Sequence, residues 1–204
     1  MQVEVITATQ NPMDVISMAA GVCYGKTNVD SKRAERCFRN GHLSVFEHAS
    51  ATFHIKGISR SCMAQLTRHR HASFCVQSQR YCKYGLDGDD WFVVPEAFKQ
   101  PGFVGDRTLE SFYRKKMEND AKAYREALQA GVKPEDARYL LPEAKDTELV
   151  VTMNCRELFH VFDMRLDKAA QWEVRNLAGM MQRALFDWGG QWGDLMGLYS
   201  GGGE

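Results

Sequence analysis

The feature that most constrains the fold of this chain is a long stretch of helical periodicity between Asp106 and Gly131. Apolar side chains recur there every three to five residues, and charged residues of both signs lie between them, a pattern typical of an amphipathic helix. The apolar positions are Leu109, Phe112, Met117, Ala121, Tyr124 and Leu128. We predict one long helix whose apolar stripe is buried in a core or a subunit interface.

Shorter segments on both sides of this helix alternate between strand and helix patterns. Strands are predicted at about 2–8, 51–56, 91–95 and 147–153, with an extended segment over 72–81. Helices are predicted at about 12–24, 32–40, 58–70, 134–141 and up to 166. The predicted helix caps are Asn11, Ser31, Gly41 and Asp167, and the last helix has a stripe of Val174, Leu177, Met181, Ala184 and Trp188. These elements predict one mixed α/β domain over residues 1–204, with a frayed tail at about 200–204.

Composition indicates an ordinary globular protein. Of the 204 residues, 44% are apolar and 25% are charged. No apolar run approaches the roughly 20 residues that a transmembrane helix needs, and the first residues lack the basic region of a signal peptide. The cysteines form no CxxC pair, which predicts reduced thiols in a cytoplasmic protein. They are Cys23, Cys37, Cys62, Cys75, Cys82 and Cys155.

Charge is unevenly distributed along a chain whose 26 basic and 26 acidic residues balance. Between Glu47 and Asp87 no Asp or Glu occurs, although Lys and Arg side chains and four of the six histidines do. Like charges without counter-charges repel one another, so a solvated surface normally mixes both signs. We therefore predict that this segment binds an anion.

The most informative string within that segment runs from Arg68 to Tyr81, RHRHASFCVQSQRY. Guanidinium groups match phosphate oxygens with forked donors, and hydroxyl and backbone N–H groups complete a phosphate-binding site. In an extended chain Ser78 and Arg80 point to the same side, so both side chains would bind one phosphate. The alternative is a basic helix end that complements its own dipole.

This string resembles the motif RHRxxSxNxxSxRY of the flavin-dependent thymidylate synthases. The matching residues are Arg68, His69, Arg70, Ser73, Ser78, Arg80 and Tyr81. Cys75 stands in place of the Asn, and Val76 stands where some members have a Glu. Further stretches resemble the family in the same order along the chain: Gly41 to His48, Asp136 to Pro142, Asn154 to Arg156, His160, Arg165 and Ala170 to Arg175, although Ala169 replaces a common His.

The resemblance implies a fold, a reaction and an assembly. The fold is a mixed, largely antiparallel sheet flanked by helices, that of the thymidylate synthase-complementing proteins. The reaction is the reductive methylation of dUMP to dTMP, with methylenetetrahydrofolate as carbon donor, FAD as hydride carrier and NADPH as reductant. The assembly is a homotetramer whose active sites are shared between subunits. Neither nucleic acid nor membrane is an implied partner.

The resemblance also assigns the site residues. It implies FAD-binding roles for Ser44, Arg68, His69, Arg70, Val76, Asn154, Cys155, Arg156 and His160. It implies dUMP-binding roles for Gln65, Leu66, Thr67, Arg68, Val76, Gln77, Ser78, Gln79, Arg80, Arg138 and Arg165. We assign catalysis to Arg165, because a fixed guanidinium beside the pyrimidine stabilises the negative charge that develops on the ring.

Other functions remain open on sequence alone. A metal site is a weak alternative, since His69 and His71 form an HxH pair but the chain has no HExxH motif. A nucleic-acid-binding module would use the basic segment with Phe74, Tyr81 and Tyr84 as stacking platforms. A third alternative is another nucleotide-dependent oxidoreductase with the same phosphate-binding residues. Ser78, Cys75 and Cys82 are favoured as binding or packing residues over nucleophiles, because the implied chemistry needs no covalent enzyme adduct.

Overall fold

The structure, a computed structural model, describes residues 1–82, 84, 86–88 and 90–201. The chain forms two compact units. The larger unit comprises Met1–Ile55, Gln65–Cys75 and Leu149–Glu204, and the smaller unit comprises Lys56–Ala64 and Val76–Glu148. The expectation of one domain over the whole chain stays a prediction.

Strands and helices mix along the whole described chain. The strands are β1 Gln2–Ala8, β2 Ser50–Ser59, β3 Ala72–Val76, β4 Phe103–Val104, β5 Arg107–Thr108 and β6 Asp146–Asn154. The α-helices are α1 Pro12–Val22, α2 Ser31–Arg39, α3 Arg60–Leu66, α4 Leu109–Gln129, α5 Pro134–Ala137, α6 Cys155–Arg165, α7 Trp172–Trp188 and α8 Gly190–Gly201. Short 3-10 helices cover Leu43–His48, Glu96–Lys99 and Arg138–Leu140. The mixed α/β prediction is confirmed.

One sheet has the strand order β1-β2-β6-β3, and β2 and β6 run antiparallel within it. The Cys155 N–H donates to the Ala49 carbonyl at 2.8 Å, and the Thr52 and Thr152 hydroxyls lie 2.9 Å apart, so numbers rise along one strand as they fall along the other. Alternate residues of β6 are buried, as expected for a strand with one covered face. They are Thr147, Leu149, Val151 and Met153.

The larger unit has a core of helices that fixes α6, the helix that carries the expected cofactor residues Cys155, Arg156 and His160. α7 packs against β1, α6 and α8, and α1 packs against α2 and α8. Fully buried side chains in this unit include Ile16, Leu158, Phe162, Leu177, Met181 and Leu185. The rings of Phe38, Phe46 and Phe159 lie 5.3 to 6.0 Å apart, which adds a favourable edge-to-face cluster under α6.

Helix α8 was missed, because the last predicted helix had its stripe end at Trp188 and only a frayed tail was expected after it, at about 200–204. Trp192 is 1% exposed, and its indole N–H donates to the Thr9 carbonyl at 2.8 Å. Leu195 and Met196 are buried beside it, so tertiary packing outweighs the low helix propensity of glycine. Ser200 and Gly201, expected in the tail, belong to this helix, and residues 202–204 lie outside the described residues.

The smaller unit is built around α4, as the periodicity predicted. The buried residues of α4 are Tyr113, Met117, Ala121 and Tyr124, which pack with Leu86, Trp91, Phe92 and Ala137. Phe112, predicted in the stripe, is 40% exposed; Tyr113 takes its place and donates its hydroxyl to the Val93 carbonyl. The strand expected at 91–95 is reduced to one bridge between Phe92 and Lys145.

Several predicted boundaries were wrong. Gly57 adopts a φ of 68°, so β2 continues through it to Ser59, and α3 covers only Arg60–Leu66 of the helix predicted at 58–70. The side chain of Asp30 caps α2, one residue before the predicted cap, and the side chain of Gln171 rather than that of Asp167 caps α7.

The predicted stripe of α7 is only partly buried. Val174, Leu177 and Met181 are buried, but Trp188 is 48% exposed. No helix in the described part of the chain is long and apolar enough to cross a bilayer.

Candidate active site

The RHR segment, Arg68 to Arg70, follows α3, and its two arginines are exposed while its histidine is buried. The chain turns at Thr67 and Arg68, and the His69 N–H donates to the Leu66 carbonyl at 3.1 Å. This turn buries His69, which is 4% exposed, while Arg68 and Arg70 are exposed on either side. The two arginines are therefore presented to solvent, and the histidine is directed into the larger unit.

Inside the larger unit His69 joins two side chains of α6. Its Nδ1 lies 3.2 Å from Glu157 Oε1, and its Nε2 lies 3.0 Å from Arg165 Nε. Arg165 Nη2 also donates to the Gln65 carbonyl at 3.2 Å, so the half-buried guanidinium is held at two points. The structure thus brings together the predicted residues Gln65, His69 and Arg165.

The chemistry of this chain of contacts fixes the tautomer of His69. A guanidinium only donates hydrogen bonds, so His69 Nε2 must accept from Arg165. The ring proton then lies on Nδ1 and is donated to the Glu157 carboxylate. Burial, and then the Arg165 charge, lower the pKa of His69 below its usual 6.5, and Glu157 opposes this shift without reversing it. His69 is a neutral link between an anion and a cation.

We expect His69 to stay neutral in the folded protein at pH 6.5, where an unperturbed histidine is half protonated. As the pH falls below about 6.5, the unfolded chain binds a proton that folded His69 does not, so His69 reduces the free energy of unfolding there. Imidazole ¹⁵N chemical shifts followed through a pH titration measure this directly. Protonation of His69 at or above pH 6.5 in the folded state would contradict the geometry.

A cleft of about 430 Å³ opens in the larger unit beside the N-terminus of α6. Its lining residues are Leu43, Glu47, His71, Asn154, Arg156, Glu157, Phe159, His160 and Asp163. The Asn154 side chain caps α6 by accepting the Glu157 N–H at 2.9 Å. The cleft therefore collects three predicted cofactor residues, Asn154, Arg156 and His160. Ser44 is exposed in the 3-10 helix that supplies Leu43 and Glu47.

The acid-free segment predicted to bind an anion does not leave this cleft free of carboxylates. Glu47, Glu157 and Asp163 all line it, and each has a partner. Glu47 accepts from Arg156 at 2.5 Å, and Asp163 accepts the Tyr199 hydroxyl at 2.7 Å. Because these acids come from other segments, the absence of acids between residues 47 and 87 did not predict a cationic surface.

The pairing between Arg156 and Glu47 leaves Arg156 available to a ligand. Their side chains are 55% and 47% exposed, and an ion pair at such a surface contributes only about 0.2–1 kcal/mol. A phosphate offers the same guanidinium a stronger, forked, charge-assisted hydrogen bond. The cleft thus fits an anionic ligand with an aromatic portion: Arg156, His71 and His160 supply donors, and Leu43 and Phe159 supply an apolar wall.

The remaining predicted nucleotide residues belong to the smaller unit. β3 ends at Val76, and the chain then turns instead of staying extended to residue 81 as predicted. The Arg80 N–H donates to Ser78 Oγ at 3.2 Å, and the Cys82 N–H donates to the Ser78 carbonyl at 3.1 Å. Ser78 and Arg80 are therefore neighbours within a turn, not on one side of a strand.

Glu135 of α5 holds the Arg80 guanidinium at 3.1 Å, and both side chains are exposed. Arg138 lies next to α5 with its guanidinium 6.0 Å from the Tyr139 ring centroid. Gln77 and Gln79 are half-buried beside this turn, and the Gln77 N–H donates to the Glu148 carbonyl. Within the smaller unit the structure brings Ser78 and Arg80 together near α5.

The cysteines give no sign of a nucleophile. Burial raises the pKa of the Cys155 thiol, and its N–H is used by Ala49, so Cys155 anchors α6 without lining the cleft. Cys62 is buried, and Cys75 is exposed on β3. Within the described residues, no group of three His, Cys, Asp or Glu side chains converges as a metal ligand set.

The acids of the site were not predicted from the sequence. Glu47 lies in the Gly41–His48 stretch that resembles the family and could have been identified from it, whereas nothing except their positions on α6 distinguishes Glu157 and Asp163. Tyr199 was not predicted as part of the site because α8, the helix that carries it, was not predicted. Its ring stacks on Phe159 at 5.2 Å, so α8 supports the wall of the cleft.

The fixed Arg165 guanidinium and the cleft beside α6 make the larger unit a candidate binding site for a nucleotide. A family model described as thymidylate synthase complementing protein matches residues 4–188. The chain belongs to this family, the flavin-dependent thymidylate synthases.

Relatives cover nearly the whole chain. The flavin-dependent thymidylate synthase of Pyrococcus abyssi is 41% identical over 193 residues, which cover 89% of this chain and 77% of the relative. That of Haloarcula marismortui is 35% identical over 226 residues, with 92% of each chain covered. A crystal structure of the Helicobacter pylori enzyme, complexed with FAD and dUMP, is 26% identical with a TM-score of 0.71, covering 91% of this chain and 94% of that one. The predicted fold and family are confirmed.

Proposed function

We propose that this chain converts dUMP to dTMP by reductive methylation, with methylenetetrahydrofolate as carbon donor, FAD as hydride carrier and NADPH as reductant. The observation that carries the proposal is the fixed Arg165 guanidinium, held by His69 and the Gln65 carbonyl in a chain of this family. Relatives named flavin-dependent thymidylate synthase support it, and so does a similar structure that contains FAD and dUMP.

The cleft beside α6 is the proposed place for part of FAD. Its volume of about 430 Å³ lies within the usual range of ligand pockets, about 300–1,000 Å³. Arg156 would bind a phosphate, since its guanidinium offers charge-assisted hydrogen bonds and the dipole of α6 favours an anion at this end of the helix. Bound FAD would supply the two-electron chemistry that side chains lack. Ser44, Arg68, Arg70, Val76, Asn154 and His160 complete the proposed FAD residues. His69 and Cys155, expected to bind FAD as well, are buried, so their proposed contribution is to hold the residues around the cofactor.

Replacement of Arg156 with Ala should weaken FAD binding about 10- to 100-fold, because a phosphate would lose a charge-assisted hydrogen bond. Titration of apo-protein with FAD, followed by flavin fluorescence, measures the dissociation constant. Arg107→Ala is the control, since Arg107 is an exposed arginine of β5 in the smaller unit. Equal FAD affinities for the two variants would remove Arg156 from the cofactor site.

The proposed dUMP residues fall into two groups. In the larger unit they are Gln65, Leu66, Thr67, Arg68 and Arg165. In the smaller unit they are Val76, Gln77, Ser78, Gln79, Arg80 and Arg138. Leu66 is 1% exposed, so its proposed contribution is through the backbone. Arg80 is the strongest phosphate candidate of the smaller unit, because its exposed partner Glu135 is easily displaced.

Replacement of Arg80 with Ala should raise the KM for dUMP about 10- to 100-fold while FAD content stays unchanged. Steady-state kinetics at saturating folate and NADPH measure the effect. Glu135→Gln is the control, because it frees Arg80 from its ion pair and should leave the KM equal or lower. A KM for dUMP that is unaffected in Arg80→Ala would rule out the phosphate role.

Arg165 is the proposed catalytic residue. Carbon 5 of uracil is a poor nucleophile, and methylation requires negative charge to be pushed into the ring. A fixed cation beside the pyrimidine favours the form deprotonated at N3, and it needs no reorganisation as the charge develops. The two hydrogen bonds of Arg165 hold the guanidinium in place for that role.

The proposed assembly is a homotetramer with active sites shared between subunits. Exposed apolar side chains of the larger unit support an interface there, because large apolar patches mark contact surfaces. They include Ile6, Met164, Met180, Phe186 and Trp188. Light scattering of the purified protein tests the assembly. The predicted cytoplasmic location belongs to the same proposal.

An absorption spectrum and a dTMP assay test the function as a whole. The purified protein should be yellow, with the visible absorption band of a flavin, and should form dTMP only when dUMP, the folate and a reductant are all present. A colourless protein that binds nucleic acid in a salt-dependent way would favour the nucleic-acid alternative. A flavoprotein that forms no dTMP would favour another nucleotide-dependent oxidoreductase.

A further inference from the structure

The helix position of Glu157 predicts a different contact from the one it makes. Asn154 caps α6 and Glu157 is the third residue of the helix, a spacing at which a glutamate commonly reaches back to the cap residue. The Glu157 carboxylate instead lies 3.2 Å from His69 Nδ1, a residue 88 positions away in the sequence. Glu157 therefore contacts a distant segment of the chain in place of the usual contact within its own helix.

Burial makes this contact costly for the fold. The side chains of His69 and Glu157 are 2% and 6% exposed. Removing a carboxylate from water costs free energy, and one hydrogen bond to a neutral ring does not fully offset that cost. Proteins in which such a buried pair is replaced by apolar residues of similar volume are often equally stable or more stable. Stability alone therefore does not account for a glutamate at this place, at the wall of the proposed cofactor cleft.

The contact between Glu157 and His69 also affects Arg165. With the proton of His69 on Nδ1, the Nε2 lone pair faces Arg165 Nε at 3.0 Å and accepts a hydrogen bond from its N–H. In the other tautomer Nε2 carries a hydrogen, two donors meet, and the guanidinium is pushed away. Glu157 favours the first of these states from the opposite side of the ring, because a carboxylate accepts and never donates, and so it holds His69 as an acceptor for Arg165.

We propose that Glu157 is a positioning residue for the reaction, which acts by fixing the tautomer of His69 and thereby the orientation of the Arg165 guanidinium. This inference rests on the proposed catalytic role of Arg165. Glu157 would not contact the reacting atoms itself. It would act through two hydrogen bonds, one between Glu157 and His69 and one between His69 and Arg165. The same geometry gives His69 a role besides any contact with FAD.

Three variants of Glu157 separate positioning from packing and from charge. Glu157→Ala removes the acceptor, and we expect kcat at saturating FAD to fall about 100-fold, the scale of a displacement of about 1 Å at a reacting group. Glu157→Gln keeps an acceptor oxygen of the same shape without the charge, and we expect kcat within about threefold of the wild type. Glu157→Met fills a similar volume without an acceptor oxygen, and we expect it to lose as much kcat as Glu157→Ala. Rescue by glutamine but not by methionine is the result that a mere loss of packing or charge does not give.

Imidazole ¹⁵N shifts of His69 provide the second measurement, and it needs no turnover. We expect the Nδ1–H tautomer in the wild type and in Glu157→Gln, and a mixture or the Nε2–H tautomer in Glu157→Ala. An unchanged tautomer in Glu157→Ala, or equal kcat losses in the alanine and glutamine variants, overturns the inference. If the wild type forms no dTMP yet the tautomer follows Glu157, the proposed function fails while the structural link holds.

Discussion

Replacement of Arg165 with Ala should lower kcat by at least about 100- to 1,000-fold, the loss seen when one preorganised donor to a developing negative charge is removed. The guanidinium is half-buried and held by His69 and the Gln65 carbonyl, so no mobile side chain can take over its charge. FAD should stay largely bound, because Arg165 does not line the cleft beside α6. Single-turnover formation of dTMP measures the chemical step.

The control for this variant is Arg165→Lys. Lysine keeps the charge but not the forked donors, so it should restore only part of the rate. FAD content and the thermal midpoint must match the wild type in both variants, which excludes unfolding as the cause. Wild-type kcat in Arg165→Ala would refute the catalytic assignment and leave Arg165 a structural residue.

Replacement of Trp192 with Ala should lower the free energy of unfolding by about 3–5 kcal/mol. The side chain is 1% exposed, and truncation leaves a cavity together with an unpaired Thr9 carbonyl. Trp192 belongs to α8, beyond residue 188 where the family match ends. The effect therefore measures whether this last helix is an integral part of the larger unit. Denaturant unfolding followed by circular dichroism gives the value.

Trp192→Phe is the matched variant for this prediction. It keeps most of the apolar volume and loses the indole N–H, so we expect a smaller loss of about 1–2 kcal/mol. Flavin content in Trp192→Ala would fall together with stability, since Tyr199 of the same helix stacks on the wall of the cleft. A loss below about 1 kcal/mol in Trp192→Ala would mean that α8 is not packed as described.

The elements predicted correctly were those whose pattern is set by burial on one face. Helix α4 was found with Met117, Ala121 and Tyr124 of the predicted stripe buried, and β6 was found where β-branched residues predicted a strand. Strand β2 was predicted to end at residue 56 and no helix was predicted for α8, although β2 continues through Gly57 and α8 contains several glycines. Their surroundings decide otherwise: Ile58 and Trp192 are buried, and tertiary packing outweighs local propensity.

The candidate site could be predicted where its residues lie together in one short stretch of sequence. Arg68, His69 and Arg70 were identified together, as was the grouping of Asn154, Arg156 and His160 on α6. The partners of these residues could not be predicted. Glu47, Glu157 and Glu135 come from distant segments, and no local pattern links them to the arginines and the histidine that they hold.

The identity of the folate product tests the central claim most directly. If the flavin supplies the hydride that completes the methyl group, the folate gives up its one-carbon unit without being oxidised, and tetrahydrofolate accumulates in step with dTMP. Chromatography of the quenched reaction with purified holoprotein, dUMP, methylenetetrahydrofolate and NADPH measures both products. Our account predicts tetrahydrofolate as the coproduct and no dTMP from flavin-free protein; dihydrofolate in step with dTMP, or full activity without flavin, would contradict it.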